Sequence, residues 1–273
     1  MTEQRYALID GAMENELLAM LQELDPPVSC LYAEPVQDEL VELAPYLVLV
    51  TDEVQQWLKT RHHAWGYYIT TAASMKDIRQ HLRKYLQVMI EGEKKPVFFR
   101  FYDPRNIWAL CELLTDWQLH QFLGPITALT TDIDNVIVSD DFKSRRESFP
   151  RDVMFRKKML TFSMGQMHQL TGHLEKTYIE KLAGLMETKW YPQKPCNYSQ
   201  FAHDIFYYLQ SLDITDDRTV QGFCQACFTQ GYDAFEKIPQ AMKSQLESPT
   251  YSSQINADLL IGSILGSVPP LNE

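Results

Sequence analysis

A chain of 273 residues, 45% hydrophobic and 12% aromatic, can bury one large core or two small ones, which excludes an intrinsically disordered protein. Its 25 Lys and Arg stand against 36 Asp and Glu, and a formal net charge of -11 repels a phosphate backbone, so nucleic-acid binding is not expected. The five cysteines sit mostly among apolar residues and read as reduced thiols, no basic-then-apolar leader is visible and no apolar run reaches about eighteen residues, so the expectation is a cytoplasmic protein without membrane contact.

The first half alternates short strands and helices. "RYALID" (residues 5–10) reads as a strand ending in an Asp-Gly turn, and Leu17, Met20, Leu21 and Leu24 give the next segment helical spacing. Pro26 and Pro27 stop it, "VSCLY" is the next strand, and "PYLVLV" (45–50) is an apolar run suited to a buried strand. Thr51 then caps a helix that the pattern carries to Gly66, followed by the β-branched and aromatic "YYITTA". Ser74 and Asp77 resemble a capping box, and Met75, Ile78, Leu82, Leu86 and Met89 recur at three and four, which predicts one amphipathic helix closed by Gly92.

"KPVFFRFYD" returns to strand, and "GPITALTTDIDNVIVSD" reads as a hairpin turning at Asp134 and Asn135. Beyond the polar stretch 140–152 the period is helical. Met167, Leu170, Leu174, Tyr178, Leu182 and Leu185 mark a long helix after Ser163, broken at Pro192 and Pro195, and three more helices follow before Pro269 and Pro270. The expected fold is therefore an α/β N-terminal lobe with a mixed β-sheet flanked by helices, residues 1–140, then an all-α C-terminal lobe, residues 141–273.

No motif carries recognisable chemistry. Cys224 and Cys227 form a C-x-x-C, but no second pair completes a zinc site, and Phe223, Ala226 and Phe228 around them suit a helix core. His62 and His63 are adjacent, His168 and His173 do not share a helix face, and no H-E-x-x-H is present, so neither metal nor cofactor is expected. Asp132 and Asp134 flank a turn that favours Asp locally, Asp213, Asp216 and Asp217 suit an interhelix turn, and Lys76, Arg79 and Arg83 suit a solvated helix face. Met154, Met159, Met164, Met167 and Met186 suit either core filling or an adaptable binding surface.

"VFFRFYDPRNIW" (97–108) is the densest polar and aromatic stretch. Val97, Phe99 and Phe101 alternate with Phe98, Arg100 and Tyr102, which reads as a largely buried strand with a polar end. Asp103 can accept from free N–H groups at a helix start, Pro104 fits its first turn, and Ile107, Leu110 and Leu114 supply the apolar face. Arg100 and Arg105 are not explained by capping, because a guanidinium at a buried strand end requires an acidic or carbonyl partner, either within this lobe or on another protein.

Taken in order, "RYALIDGA", "APYLVLV", "WLKTRHHAWG", "HLRKYLQV", "VFFRFYDPR" and "FLGPI" resemble the N-terminal domain of type VI secretion effector adaptor chaperones over residues 5–127. "LDITDDRTVQGFCQACFTQGYDAF" is similar, more weakly, to that family's helical second half. The resemblance implies a non-enzymatic adaptor that binds a toxic effector in the cytoplasm and helps load it onto the VgrG spike. Arg100, Tyr102, Asp103, Arg105 and Trp108 are then expected to bind a partner or organise the lobe beside the binding surface. The alternatives are a small hydrolase or transferase using Asp103, Arg105 and His62 or His63, and an immunity protein that blocks a toxin.

Overall fold

The computed structural model describes residues 3–33, 35–149, 159–190 and 196–270. Two compact units emerge, Met1–Thr171 and Gly172–Glu273. The first contains β1 (Gln4–Asp10), α1 (Leu17–Leu24), β2 (Val28–Cys30), α2 (Asp38–Val41), β3 (Pro45–Leu49), α3 (Asp52–Leu58), β4 (Gly66–Thr71) and α4 (Met75–Leu82). It continues with β5 (Gln87–Ile90), β6 (Val97–Phe98), α5 (Ile107–Leu113), α6 (Asp116–Leu123), β7 (Ile126–Ile133), β8 (Val136–Asp140), α7 (Lys143–Arg146) and β9 (Thr161–Phe162). The helix α8 (Met164–Leu185) crosses the unit boundary, and α9 (Tyr198–Ser211), α10 (Asp217–Thr229), α11 (Gln240–Leu246) and α12 (Ser253–Leu265) complete the second unit.

A six-stranded sheet in the order β2-β3-β1-β4-β7-β8 organises the first unit, and every pairing in it is antiparallel. Parallel pairing is confined to the small sheet β6-β5-β9, where β9 runs alongside β5. Strands β1, β3 and β4 are covered on both faces, which is why they read as continuous apolar runs. Tyr6 and Leu8 of β1 face a core with Leu47, Ile69, Ile78, Phe122 and Leu129. Ala7 and Ile9 face the opposite one, with Leu17, Val54, Leu58 and Trp65.

The helical unit begins later than the expected boundary at 140/141. Phe142, Leu160 and Phe162 are buried in the α/β core, so the chain stays with the first unit well past the hairpin. In the second unit Phe201, Ile205, Leu209, Phe223, Leu246 and Ile261 form a core of their own. Cys224 and Cys227 lie inside it with no exposed surface, and burial pushes both thiols well above the usual range, so they act as small hydrophobes. Asp216 caps α10 by accepting from the Thr219 N–H at 2.9 Å, and Asp217 accepts from the Tyr178 hydroxyl. Capping and side-chain hydrogen bonds from Tyr178, Thr219 and Gln221 therefore account for Asp216 and Asp217.

Three local expectations are corrected. The helix begun by Thr51 ends at Leu58 rather than Gly66, because Gly66 opens β4 against β1: a Cβ there would lie 2.1 Å from the Leu8 carbonyl oxygen. The amphipathic stripe from Met75 to Met89 is α4, a 3-10 turn (Arg83–Tyr85) and β5, since Met89 and Ile90 pair with Thr161 and Phe162. The strand expected over 95–103 is only Val97–Phe98, and these two are 37% and 57% exposed, while the buried Phe101 and Tyr102 lie beyond it in irregular backbone.

The hairpin is as read, with Ile133 opposite Val136 and positive φ angles of 52° and 63° at Asp134 and Asn135. Ser163 starts α8 as expected, exchanging hydrogen bonds with Gln166. Pro192 and Pro195 lie outside the described residues, as does Met154. Met159 and Met164 are exposed, Met167 packs on the α/β core, and Met186 is fully buried in the helical one.

Two stability outcomes follow from this packing. Gly66→Ala forces backbone apart at the centre of the sheet and is expected to cost about 3 kcal/mol in urea unfolding, an unchanged midpoint being the contrary result. His81 is buried with Nε2 2.7 Å from the Phe122 carbonyl; burial, helped by Lys84 and Arg146 and opposed by that carbonyl, depresses its pKa to about 4. The unfolded chain therefore binds the extra proton between about pH 6.5 and 4, so this group removes up to about 3 kcal/mol of stability as pH falls through that window. His81→Gln should flatten that slope in unfolding curves taken between those limits.

Candidate functional site

Where β1 ends, the sheet terminates in a charged cluster. Asp10 has no exposed surface, and its Oδ2 accepts from Arg100 Nε at 2.8 Å. Its Oδ1 takes the Ala12 N–H at 3.2 Å, and its carbonyl takes the N–H groups of Met13 and Glu14 at 2.9 and 3.1 Å. Burial pushes the Asp10 carboxyl above the usual range, against the opposing charge and hydrogen bond of Arg100. The acidic partner demanded by Arg100 is thus within the lobe, ninety positions away in sequence.

Arg105 is the second guanidinium. It grips the buried Asp103 with two parallel bonds, Nε to Oδ1 at 2.9 Å and Nη2 to Oδ2 at 2.6 Å, and that hydrogen bonding raises its own pKa further. Asp103 also accepts from the Arg105 N–H at 3.0 Å, so it closes a turn before α5 rather than capping α5 itself, which starts three residues later than its Asp-Pro signal implied. The Arg100 and Arg105 side chains remain 39% and 41% exposed. Each is pinned on its inner flank and open on its outer one.

Aromatic residues frame this pair. Tyr102 is buried with its hydroxyl 3.0 Å from that of Tyr32, and burial and this contact raise its pKa. Tyr32 in turn meets the exposed Phe98 ring edge-on, with centroids 6.0 Å apart. Trp108 donates Nε1–H to Thr131 Oγ1 at 2.7 Å and stacks on Phe142, joining α5 to the hairpin. Arg100, Tyr102, Asp103, Arg105 and Trp108 all take part in the polar and aromatic packing of this lobe; Asp10, Tyr32 and Phe98 were not singled out from the sequence.

His63, one of the histidines named for a hydrolase, faces a carboxylate on another segment. His63 lies with Nε2 3.0 Å from Glu14 Oε2, and the His62 carbonyl accepts from the Asp134 N–H. A cleft of 710 Å³ lies against Thr70, Gly124, Ile126 and Arg146, and its lining includes none of Asp103, Arg105, His62 or His63. Among the described residues no cluster of His, Cys, Asp or Glu suits a metal ion, and no helix is long and apolar enough to cross a membrane.

Residues 5–121 match the family described as "Domain of unknown function (DUF4123)". The accessory protein VasW of Vibrio cholerae serotype O1 is 35% identical over 89 residues, which cover 32% of this chain and 30% of that relative's own length. Together these bear out the resemblance to effector adaptors read from the ordered motifs of the first 127 residues. No solved structure matches the chain.

Removing the guanidinium from Arg100 leaves a carboxylate buried at the sheet end without its counter-charge. Arg100→Ala is expected to cost about 3 kcal/mol at pH 7. Because the folded state then favours protonated Asp10, the loss relative to the parent chain should shrink as pH falls from 7 toward 4.5, and adding Asp10→Asn should restore part of it. Urea unfolding of the three variants at both pH values checks this; a deficit independent of pH would mean that Asp10 does not carry the charge.

Proposed function

We propose that the chain is a non-enzymatic adaptor of type VI secretion that binds a cognate toxic effector in the bacterial cytoplasm and helps load it onto the VgrG spike. The observation that carries this reading is the pair of guanidiniums at the sheet end, fixed from behind by the carboxylates of Asp10 and Asp103 and open in front. Arginine and tyrosine are enriched among residues that dominate protein interfaces, and a fork already held in one orientation loses little freedom on docking. Phe98, at 57% exposure, and Tyr32 supply apolar surface beside it.

Arg100 and Arg105 would present the charged contact, while Tyr102, Asp103 and Trp108 would organise the lobe beneath it. Both Asp103 oxygens are taken by Arg105, so this carboxylate is not free to act as a general base, which supports binding over catalysis at this pair. The description of the Vibrio cholerae relative as an accessory protein fits a role in support of other proteins.

The test is an affinity pull-down of the tagged full chain from its own host, with retained proteins identified by mass spectrometry. One large toxin together with the spike protein is the expected catch, and toxin alone would favour an immunity protein. Phe98→Ser and Arg105→Lys, with circular dichroism unchanged, should each lower recovery about tenfold, the effect of losing one interface contact worth roughly 1.4 kcal/mol. Full recovery by both variants would move the binding surface away from the sheet end.

A further inference from the structure

The six-stranded sheet has two edges, and they are built differently. At one edge β2 is only three residues long, follows Pro26 and Pro27, and has its Cys30 carbonyl taken by Arg79 Nε at 2.7 Å. Short length, proline and a bound cation are the ordinary means of closing an edge to stray strands. At the other edge β8 has none of them. Residues 126–141, "ITALTTDIDNVIVSDD", contain no Pro, Lys or Arg, and all five residues of β8 are exposed. Val136, Ile137 and Val138 are 62%, 68% and 41% exposed, an apolar run that buries little of either face.

The backbone of this edge is set for pairing. The two-residue turn at Asp134 and Asn135 makes Ile133 and Val136 a pair that exchanges both hydrogen bonds, and the register then alternates along the ladder. The N–H and C=O groups of Ile137 and Ser139 consequently point away from β7, and no strand among the described residues takes them. The pairing of β4 with β7 stops at Tyr68 and Thr130, so the outer part of the hairpin reaches beyond β4. Trp108 holds its base through Thr131, the residue opposite Val138.

Charge selects the occupant. Asp132, Asp134, Asp140 and Asp141 bracket the apolar run, with no cation on the hairpin to offset them. A second copy laid antiparallel on this edge would bring both sets of carboxylates together, on chains that each carry a net charge of -11. A strand with Lys or Arg at its ends meets the same carboxylates favourably. We propose that the β8 edge docks one extended strand of a partner protein, β-branched in the middle and basic at both ends, by strand addition through Ile137 and Ser139. This deepens the adaptor reading and rests on it for the existence of a protein cargo.

The probe is a capped peptide of alternating Val and Thr with two Lys at each end, added to the full chain while amide hydrogen exchange is read residue by residue. Protection of the Ile137 and Ser139 amides by about tenfold is expected, together with none from the same peptide ending in Glu. Ile137→Pro removes an outward N–H and leaves the ladder to β7 intact, so protection at Ser139 should vanish with the circular dichroism spectrum unchanged. Ser139→Ala, which keeps the backbone, should retain it. Equal protection by both peptides, protection confined to other elements, or concentration-dependent protection without peptide and a dimer in sedimentation, would each overturn the proposal, the last in favour of a second copy. The peptide assay needs no cargo, so protected amides with an empty pull-down would sink the adaptor reading alone. A full pull-down with unprotected amides would sink the edge alone.

Discussion

The carboxylate of Asp10 closes the central strand of the sheet with no exposed surface, and an ion so placed is tolerable only with a partner of opposite charge. Arg100 is that partner, and the course of the chain between β6 and α5 follows from bringing it there. With Arg100 turned to Asp10, Phe101 and Tyr102 both enter the core in irregular backbone, β6 having ended at Phe98. Asp103 then closes the turn with Arg105. One buried charge thus determines why the most conspicuous stretch of the sequence is irregular backbone with half-exposed arginines.

The elements legible in the sequence were those whose signal is local. Thr51 and Ser74 cap their helices, accepting from the N–H groups of Val54 and Asp77, and Asp134 and Asn135 adopt the left-handed backbone of a hairpin turn. The apolar strands β1, β3 and β4 were visible because both their faces are covered. What local pattern could not show was pairing across distance. Met75 to Met89 has the spacing of one helix, yet from Gln87 the chain is strand because β9, about seventy residues later, lies beside it. The site divided likewise: Arg100 and Arg105 stood out for want of a partner, while Asp10, ending an ordinary strand, gave no sign that it was the partner.

Three further arginines of this acidic chain donate to backbone carbonyls. Arg145 donates to the carbonyls of Cys111 and Leu114 at the end of α5, and Arg146 to those of Gly124 and Ile126 after α6. Arg218 does the same for Val268 and Pro269 beyond α12. The Cys111 carbonyl lies in the last turn of α5 and that of Gly124 at the C-cap of α6, where a helix leaves carbonyls without intrahelical donors and a cation suits the negative end of the dipole. A carbonyl group accepts the hydrogen bond but does not neutralise the cation, so these arginines still offset part of the surface charge from fixed positions.

The acidic residues are arranged with less constraint. Apart from Asp10, Glu14 and Asp103, the described carboxylates are not among the buried residues, and the hairpin carries four aspartates within ten positions of one another. A field of this kind favours cationic partners at long range and is weakened by salt, whereas the bidentate Arg105–Asp103 pair, half withdrawn from solvent, is less sensitive to screening. The lobe therefore presents two electrostatic characters: rigid guanidiniums at the sheet end and a screened acidic border along β8. Two surfaces of opposite sign on one folded unit are what a protein needs to tell one partner from another, since a segment attracted to either is repelled by its counterpart.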